Sequence, residues 1–188
     1  FENVTLVGVL SADQVLYSDD FRSNERGFDL MTQVVGRSGR GTKRGRAIIQ
    51  TYTPENPVIA LASHQDYVHF YQQEILFRKA MLYPPFADIV VIGFVGEQES
   101  KVAKASQLFL EMLSHLASKE YSELPIRALR PTPAQVAKVS NKYRYKLMIK
   151  CKNNLTFRTM LSRLLVACGK EKAFAGVTVY ADSNPDMI

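Results

Sequence analysis

A short α/β segment over residues 1–80, followed by an α+β domain over residues 81–188 whose elements run β-α-β-β-α-β, is the architecture this sequence predicts. Three observations predict it. Strand-like and helix-like patterns alternate near the N-terminus, as in the closing units of a parallel, helix-covered sheet. The run Tyr83-Pro84-Pro85-Phe86 then stops any helix, because proline lacks an amide hydrogen and restricts the residue before it. Beyond that stop, hydrophobic periods of two and of about 3.6 residues succeed one another in the split order of ferredoxin-like domains.

The first strand is Val4-Thr5-Leu6-Val7-Gly8-Val9-Leu10, and Ser11-Ala12-Asp13 leads from it into a loop carrying Asp19, Asp20 and Arg22. Ser23 or Asn24 can cap a helix that begins near Glu25, an acid suited to the positive first turn. Phe28, Met31 and Val35 recur at helical spacing and face its core. The helix runs out at Gly36, beside Arg37 and Arg40. A basic loop bracketed by Gly41 and Gly45 carries Lys43 and Arg44, and the strand Ala47-Ile48-Ile49-Gln50-Thr51-Tyr52 follows. Helices are predicted over 57–64 and 66–82, the second carrying Phe70, Ile75, Leu76 and Phe77. In the second domain the predicted order is strand 88–95, helix 98–118, a strand near 126–130, strand 143–152, helix 155–168 and strand 177–182. The last of these helices is the clearest, since Phe157, Met160, Leu161, Leu164, Leu165 and Cys168 form one apolar stripe that packs on a sheet.

Composition narrows the function. A hydrophobic share of 46% is ordinary for a globular protein, no apolar run approaches the ~18 residues that span a bilayer, and no signal peptide is present. A membrane partner is therefore not expected. Cys151 and Cys168 are too far apart for a Cys-x-x-Cys clip and read as buried apolar thiols, which suit the reducing cytoplasm expected as the location. His64, His69 and His115 form no ligand constellation, so no metal site is expected in this segment. The net charge of +6 hides an asymmetry: residues 125–172 hold twelve Lys and Arg against one acid, Glu171. The other residues hold twelve basic and seventeen acidic side chains. So lopsided a field is the usual footprint of a polyanion partner.

Within that region residues 143–152 alternate. Tyr143, Tyr145, Leu147, Ile149 and Cys151 fall on one face of a strand, Arg144, Lys146, Met148, Lys150 and Lys152 on the other. Neighbours on one face lie about 6.6 Å apart, close to the phosphate interval of a nucleic-acid strand. Arg127, Arg130, Lys138 and Lys142 add to the same field. Such a row grips phosphates without reading bases, and it also serves simply to keep an edge strand from aggregating. Tyr83, Phe86 and Tyr143 are open to two readings, as stacking platforms for unpaired bases or as packing groups.

The stretch Gln33-Val34-Val35-Gly36-Arg37-Ser38-Gly39-Arg40 has the form Gln-x-x-Gly-Arg-x-Gly-Arg. Two guanidinium forks, set among glycines that permit φ > 0 and a close approach, suit the oxygens of a transferring phosphoryl group. The plain alternative is a glycine-rich helix end with solvated arginines. A nucleotide triphosphatase also needs a Gly-x-x-x-x-Gly-Lys-Ser/Thr loop, and none occurs in the 188 residues. The chain alone is therefore not expected to hydrolyse ATP. With Phe1 in first position, it reads as the C-terminal piece of a longer protein.

That motif is similar to the last ATPase motif of superfamily 2 helicases. Together with Asp13, Asp20-Phe21-Arg22, Glu25-Arg26, Gln50-Thr51, Tyr83-Pro84-Pro85-Phe86 and Tyr143-Arg144-Tyr145, it resembles the C-terminal end of the PriA family of bacterial replication-restart helicases. The likeness spans essentially the whole chain. It implies that residues 1–80 are the C-terminal part of a RecA-like second helicase lobe with linking helices. It also implies that residues 81–188 are a DNA-binding domain, similar in fold to a small-subunit ribosomal protein. The implied activity is that of an ATP-dependent 3′-to-5′ helicase that recognises stalled forks and restarts replication by primosome assembly. Arg37 and Arg40 would be arginine fingers, Gln33 would position nucleotide or couple it to DNA, Gly36 would lie at the nucleotide, and Asp13 would touch its ribose or link the lobes. Ser11 stands where the family usually has an acid, and Val35 and Ser38 replace common alanines. ATP and Mg2+ would belong to the full-length parent, zinc to cysteines upstream of these residues, and neither to this chain alone. The implied partners are single-stranded and forked DNA, other primosome proteins and single-stranded DNA-binding protein. Expected DNA contacts are Arg22, Lys43, Arg44, Arg130, Lys138, Lys142, Arg144, Lys146, Lys150 and Lys152. The alternative, of another class, is a non-catalytic docking module whose basic face binds RNA or a protein.

Overall fold

The computed structural model describes residues 4–37 and 45–185. The chain divides into two compact units, Phe1–Met81 and Leu82–Ile188, and both combine sheet and helix. Of the candidate residues, Arg40, Lys43 and Arg44 lie outside the described residues.

In the first unit, strand β1 (Leu6–Val9) pairs in parallel with β2 (Arg46–Ile49), Leu6 opposite Arg46 and Val9 opposite Ile49. Between them come α1 (Asp13–Leu16) and α2 (Ser23–Val35), and after them α3 (Pro57–Ser63) and α4 (Tyr67–Met81). The start of α3 follows from its sequence: Pro57 occupies the first turn, and the Asn56 side chain accepts the amide of Val58 at 2.9 Å. Val9, Leu16, Phe28, Met31, Ala62 and Phe70 make the core, with the rings of Phe28 and Phe70 stacked at 4.2 Å and 10°. Leu6 and Ile48 of the two strands stay 60% and 52% exposed.

Four local expectations are revised here. Residues 13–16 form a helical turn where a loop is predicted. Neither Ser23 nor Asn24 caps α2; Arg22 holds the cap position, and the turn is closed by Asp20, whose carboxylate accepts the Arg22 amide and whose carbonyl accepts that of Ser23. Val34 rather than Val35 packs against the core. Gly36 keeps right-handed angles (φ −67°, ψ −13°) and does not make the left-handed turn that its type allows.

The second unit is a five-stranded antiparallel sheet carrying two helices. Its strands are β3 (Asp88–Gly96), β4 (Arg127–Ala128), β5 (Thr132–Val139), β6 (Lys142–Cys151) and β7 (Val177–Ser183); the helices are α5 (Glu99–Glu120) and α6 (Leu155–Lys170). The lateral order is β4-β6-β3-β7, with β5 also paired to β6. Sequence patterning misses β5, whose side chains are almost all exposed and whose Pro133 hides any alternation. Val90, Ile92 and Phe94 of β3 and Leu147, Ile149 and Cys151 of β6 meet Val102, Phe109 and Leu113 of α5 and Phe157, Met160 and Leu164 of α6. The predicted stripe of α6 is this contact. Cys151 and Cys168 are buried in it, and burial pushes their thiols up to about 12 and about 11, so both remain protonated packing groups. Among the described residues no helix is long and apolar enough to cross a membrane.

The β5–β6 connection is two residues long, Ser140 and Asn141, both left-handed at φ 47° and 61°. That is the pattern of a type I′ hairpin, which favours Asn-Gly. Replacing Ser140-Asn141 by Asn-Gly should stabilise the second unit by about 0.5–1 kcal/mol, because glycine carries no penalty at such angles. Urea denaturation measures it, and an unchanged or lowered midpoint would contradict the assigned turn.

Candidate nucleic-acid interface

Strand register divides the sheet of the second unit into two faces. Val90, Ile92 and Phe94 point to the helices, as do their neighbours Ile149, Leu147 and Tyr145 across β6. The intervening residues, Ile89, Val91, Gly93 and Val95, share the other face with Lys150, Met148, Lys146 and Arg144. On the far side of β3 the same face takes Asp182, Tyr180 and Thr178 of β7. α5 and α6 both pack on the opposite face, so among the described residues of the second unit this face is helix-free.

The structure brings only some of the predicted cations together. Arg144 and Lys146 lie side by side on the helix-free face, half-buried, with Lys142 at the exposed start of the same strand. Lys150 shares the face but is only 6% exposed, its ammonium 3.8 Å from the centre of the Tyr83 ring. Burial and the neighbouring cation of Arg127, opposite it on β4, lower its pKa. Tyr83 thus packs on a lysine. Lys138 goes to the other face, 4.7 Å over the Tyr143 ring, and Arg130 and Lys152 are exposed beyond the strand ends. Arg163 of α6 is paired with Glu120 at 2.7 Å, so part of the regional charge is internally answered. Sequence reasoning named neither Tyr180 nor any other β7 residue; it is exposed and lies across the sheet from Lys146, a relation that only register reveals.

In the first unit, Gln33 and Arg37 are exposed one helical turn apart at the C-terminal end of α2, with Gly36 between them. A cationic side chain suits that end, where helix carbonyls point outward. Asp13 does not offer an open carboxylate. It accepts the hydroxyls of Thr51 at 2.9 Å and Thr53 at 3.1 Å and the amide of Tyr52 at 3.0 Å. Partial burial acts to raise its pKa, but these hydrogen bonds outweigh it and hold the group below the usual carboxylate value. They also explain why β2 ends at Ile49 and not at the predicted Tyr52. Arg22 stacks at 4.7 Å over the Phe21 ring. The neighbouring Glu25 receives Arg78 of α4 at 2.9 Å, and Arg78 also binds Glu74 at 2.8 Å, a bridge between α2 and α4 absent from the sequence-level reading. Among the described residues no three His, Cys, Asp or Glu converge as metal ligands.

The family described as "Primosomal protein N C-terminal domain" matches residues 79–185. The chain is 38% identical over 188 residues to the Replication restart protein PriA of Bacillus subtilis (strain 168), covering all of this chain and 23% of that protein. It is 36% identical over 185 residues to the protein of the same name from Synechocystis sp. (PCC 6803), covering 98% of this chain and 21% of the other. The chain therefore spans less than a quarter of the length of these two relatives. Among solved structures, a de novo designed protein, Foldit4, is similar at 14% identity with a TM-score of 0.39, covering 53% of this chain and 98% of that one.

Proposed function

The chain belongs to the Primosomal protein N C-terminal domain family, and from that premise we propose that it is the C-terminal part of an ATP-dependent 3′-to-5′ DNA helicase that restarts replication at stalled forks. In this reading the second unit binds single-stranded and forked DNA through its helix-free sheet face. The observation that carries it is the register that sets Lys142, Arg144 and Lys146 together on the sheet face opposite α5 and α6, in a region holding twelve basic residues and one acid. The strand order supports a ferredoxin-like description of this unit, with β7, β3 and β6 in the order fourth, first, third and the two-residue β4 together with β5 in the second place. The parallel β1–β2 pair with α2 between its strands supports a RecA-like description of the first.

The nucleotide role rests on Gln33 and Arg37, with Arg40. The exposure of the first two, Gln33 in the last turn of α2 and Arg37 just beyond its end, fits a phosphate group presented from outside the chain. ATP bound with Mg2+ in the full protein would supply the chemistry; Arg37 and Arg40 would neutralise its terminal phosphate, and Gln33 would position the nucleotide or couple it to DNA. Asp13, with its carboxylate spent on Thr51, Tyr52 and Thr53, would act by fixing the loop beside β2 and not by direct contact. Zinc would belong to the remainder of the full protein. Other primosome proteins and single-stranded DNA-binding protein are the proposed protein partners, and the cytoplasm the proposed location.

Salt dependence tests the DNA role. Each phosphate contact to a single strand contributes about 0.7 to the slope of log Kobs against log salt. Arg144→Ala with Lys146→Ala should reduce that slope by about 1.4, whereas Lys104→Ala on α5 should leave it unchanged. Fluorescence anisotropy with a labelled dT oligonucleotide reads both. Wild-type binding that is absent at low salt, or that ignores salt, would leave the docking-module reading in its place.

A further inference from the structure

Gly93 at the middle of β3 is fully covered although the face it occupies carries no helix. Its cover is Tyr180. A Cβ built on Gly93 would fall 2.2 Å from Tyr180 Cζ, 2.5 Å from Cε1 and 2.6 Å from the hydroxyl oxygen. The ring therefore lies across the strand, its edge directed from β7 towards Lys146, which pairs with Gly93 from the other side. Only glycine leaves room for a ring so placed. Yet Tyr180 remains 43% exposed. One side of the ring is seated on the sheet and the other is turned outward, a preset stacking surface of low conformational freedom.

The surroundings fit a ligand with a flat apolar part and an anionic part. A hollow of about 260 Å³ is lined by Tyr180, Arg144, Lys146, Val91, Asp182 and the chain of β5 at Ala134–Val136. That stretch of β5 lies where its pairing with β6 shifts register, between Pro133 and Lys138. It has left the ladder and forms one wall of the hollow. The cations stand on β6 and the aromatic on β7, with Asp182 beside it. Phosphates are thereby favoured over β6 and repelled from β7 by Asp182, which leaves the aromatic side to the uncharged base.

We propose that this hollow holds an unpaired nucleotide of a single DNA strand, its base stacked on Tyr180 and its phosphates taken by Arg144 and Lys146. The inference rests on the DNA-binding reading and adds to it a preference for unpaired bases, which charge alone would not give. A sheet face with an aromatic among cations is a known physical solution to binding bases without discriminating among them.

The chain contains no tryptophan, so Tyr180→Trp places the sole indole at the site. Its fluorescence should be quenched on titration with a dT oligonucleotide, and far less with a duplex of equal length. Tyr180→Ala should weaken dT binding about tenfold or more, with an unchanged salt slope, and Tyr180→Phe should restore it to within about twofold. An oligonucleotide of abasic sites, which keeps the phosphates and lacks bases, should bind the wild type and Tyr180→Ala equally. Intact, salt-dependent binding with no quenching and no loss in Tyr180→Ala would overturn the stacking site while sparing the DNA role. No binding by the wild type would sink both, and quenching by a protein partner in place of DNA would assign the face to protein docking.

Discussion

Phe109→Ala is expected to cost the second unit about 4 kcal/mol. Phe109 sits on α5 with no exposure and meets Phe94 of β3 edge to face, the ring centres 5.5 Å apart at 75°. Removing so large a buried ring forfeits its transfer energy and leaves a cavity, roughly 3–5 kcal/mol in comparable cases. A domain has in total only about 5–15 kcal/mol to lose. β3 is a central strand of the sheet, so the helix-free face would be lost along with the packing, and DNA affinity should fall in proportion to the unfolded fraction. Urea denaturation followed by circular dichroism measures the change. Val166→Ala, on a part of α6 that is 59% exposed, should stay within about 0.5 kcal/mol. A comparable loss at both positions would mean that the core is elsewhere.

Under the proposed function, Arg40→Ala in the full-length helicase should lower DNA-stimulated ATP hydrolysis by about 10³-fold, the lower end of what an arginine finger contributes. Arg37→Ala should act in the same direction. Substitution by lysine should not restore turnover, because an ammonium cannot reproduce the planar, forked set of donors. DNA affinity should remain near the wild-type value, since the helix-free sheet face belongs to the other unit. Turnover measured at saturating DNA, alongside equilibrium binding, separates the two effects. Undiminished turnover would remove both arginines from the nucleotide site, and a parallel loss of binding would show that they serve DNA instead.

The elements that sequence patterning located well are those whose burial is one-sided and long. The stripe of α6 and the alternation of β6 persist over enough residues for a hydrophobic period to be read directly. β5 escaped because its side chains face solvent on both sides, which leaves no period to detect. Asp13 and Lys150 were legible as charged residues but not as engaged ones. Their partners come from the loop at Thr51–Thr53, about forty residues further on, and from Tyr83, far earlier in the chain. Tyr180 is the clearest case: its meaning depends on a glycine in a strand that precedes it by an α-helix, three strands and a second helix. Periodicity reports which side of an element is wet; it carries no information on which strand becomes its neighbour.

The parallel pair β1–β2 has a practical consequence. Parallel strands ordinarily lie inside wide sheets with both faces covered. Among the described residues this one is two strands wide, with Leu6 and Ile48 in water. A narrow apolar ribbon with unpaired margins is a template on which foreign strands assemble. For this chain on its own, clumping on concentration is expected to begin there rather than on the strongly charged sheet, whose like charges keep neighbouring molecules apart.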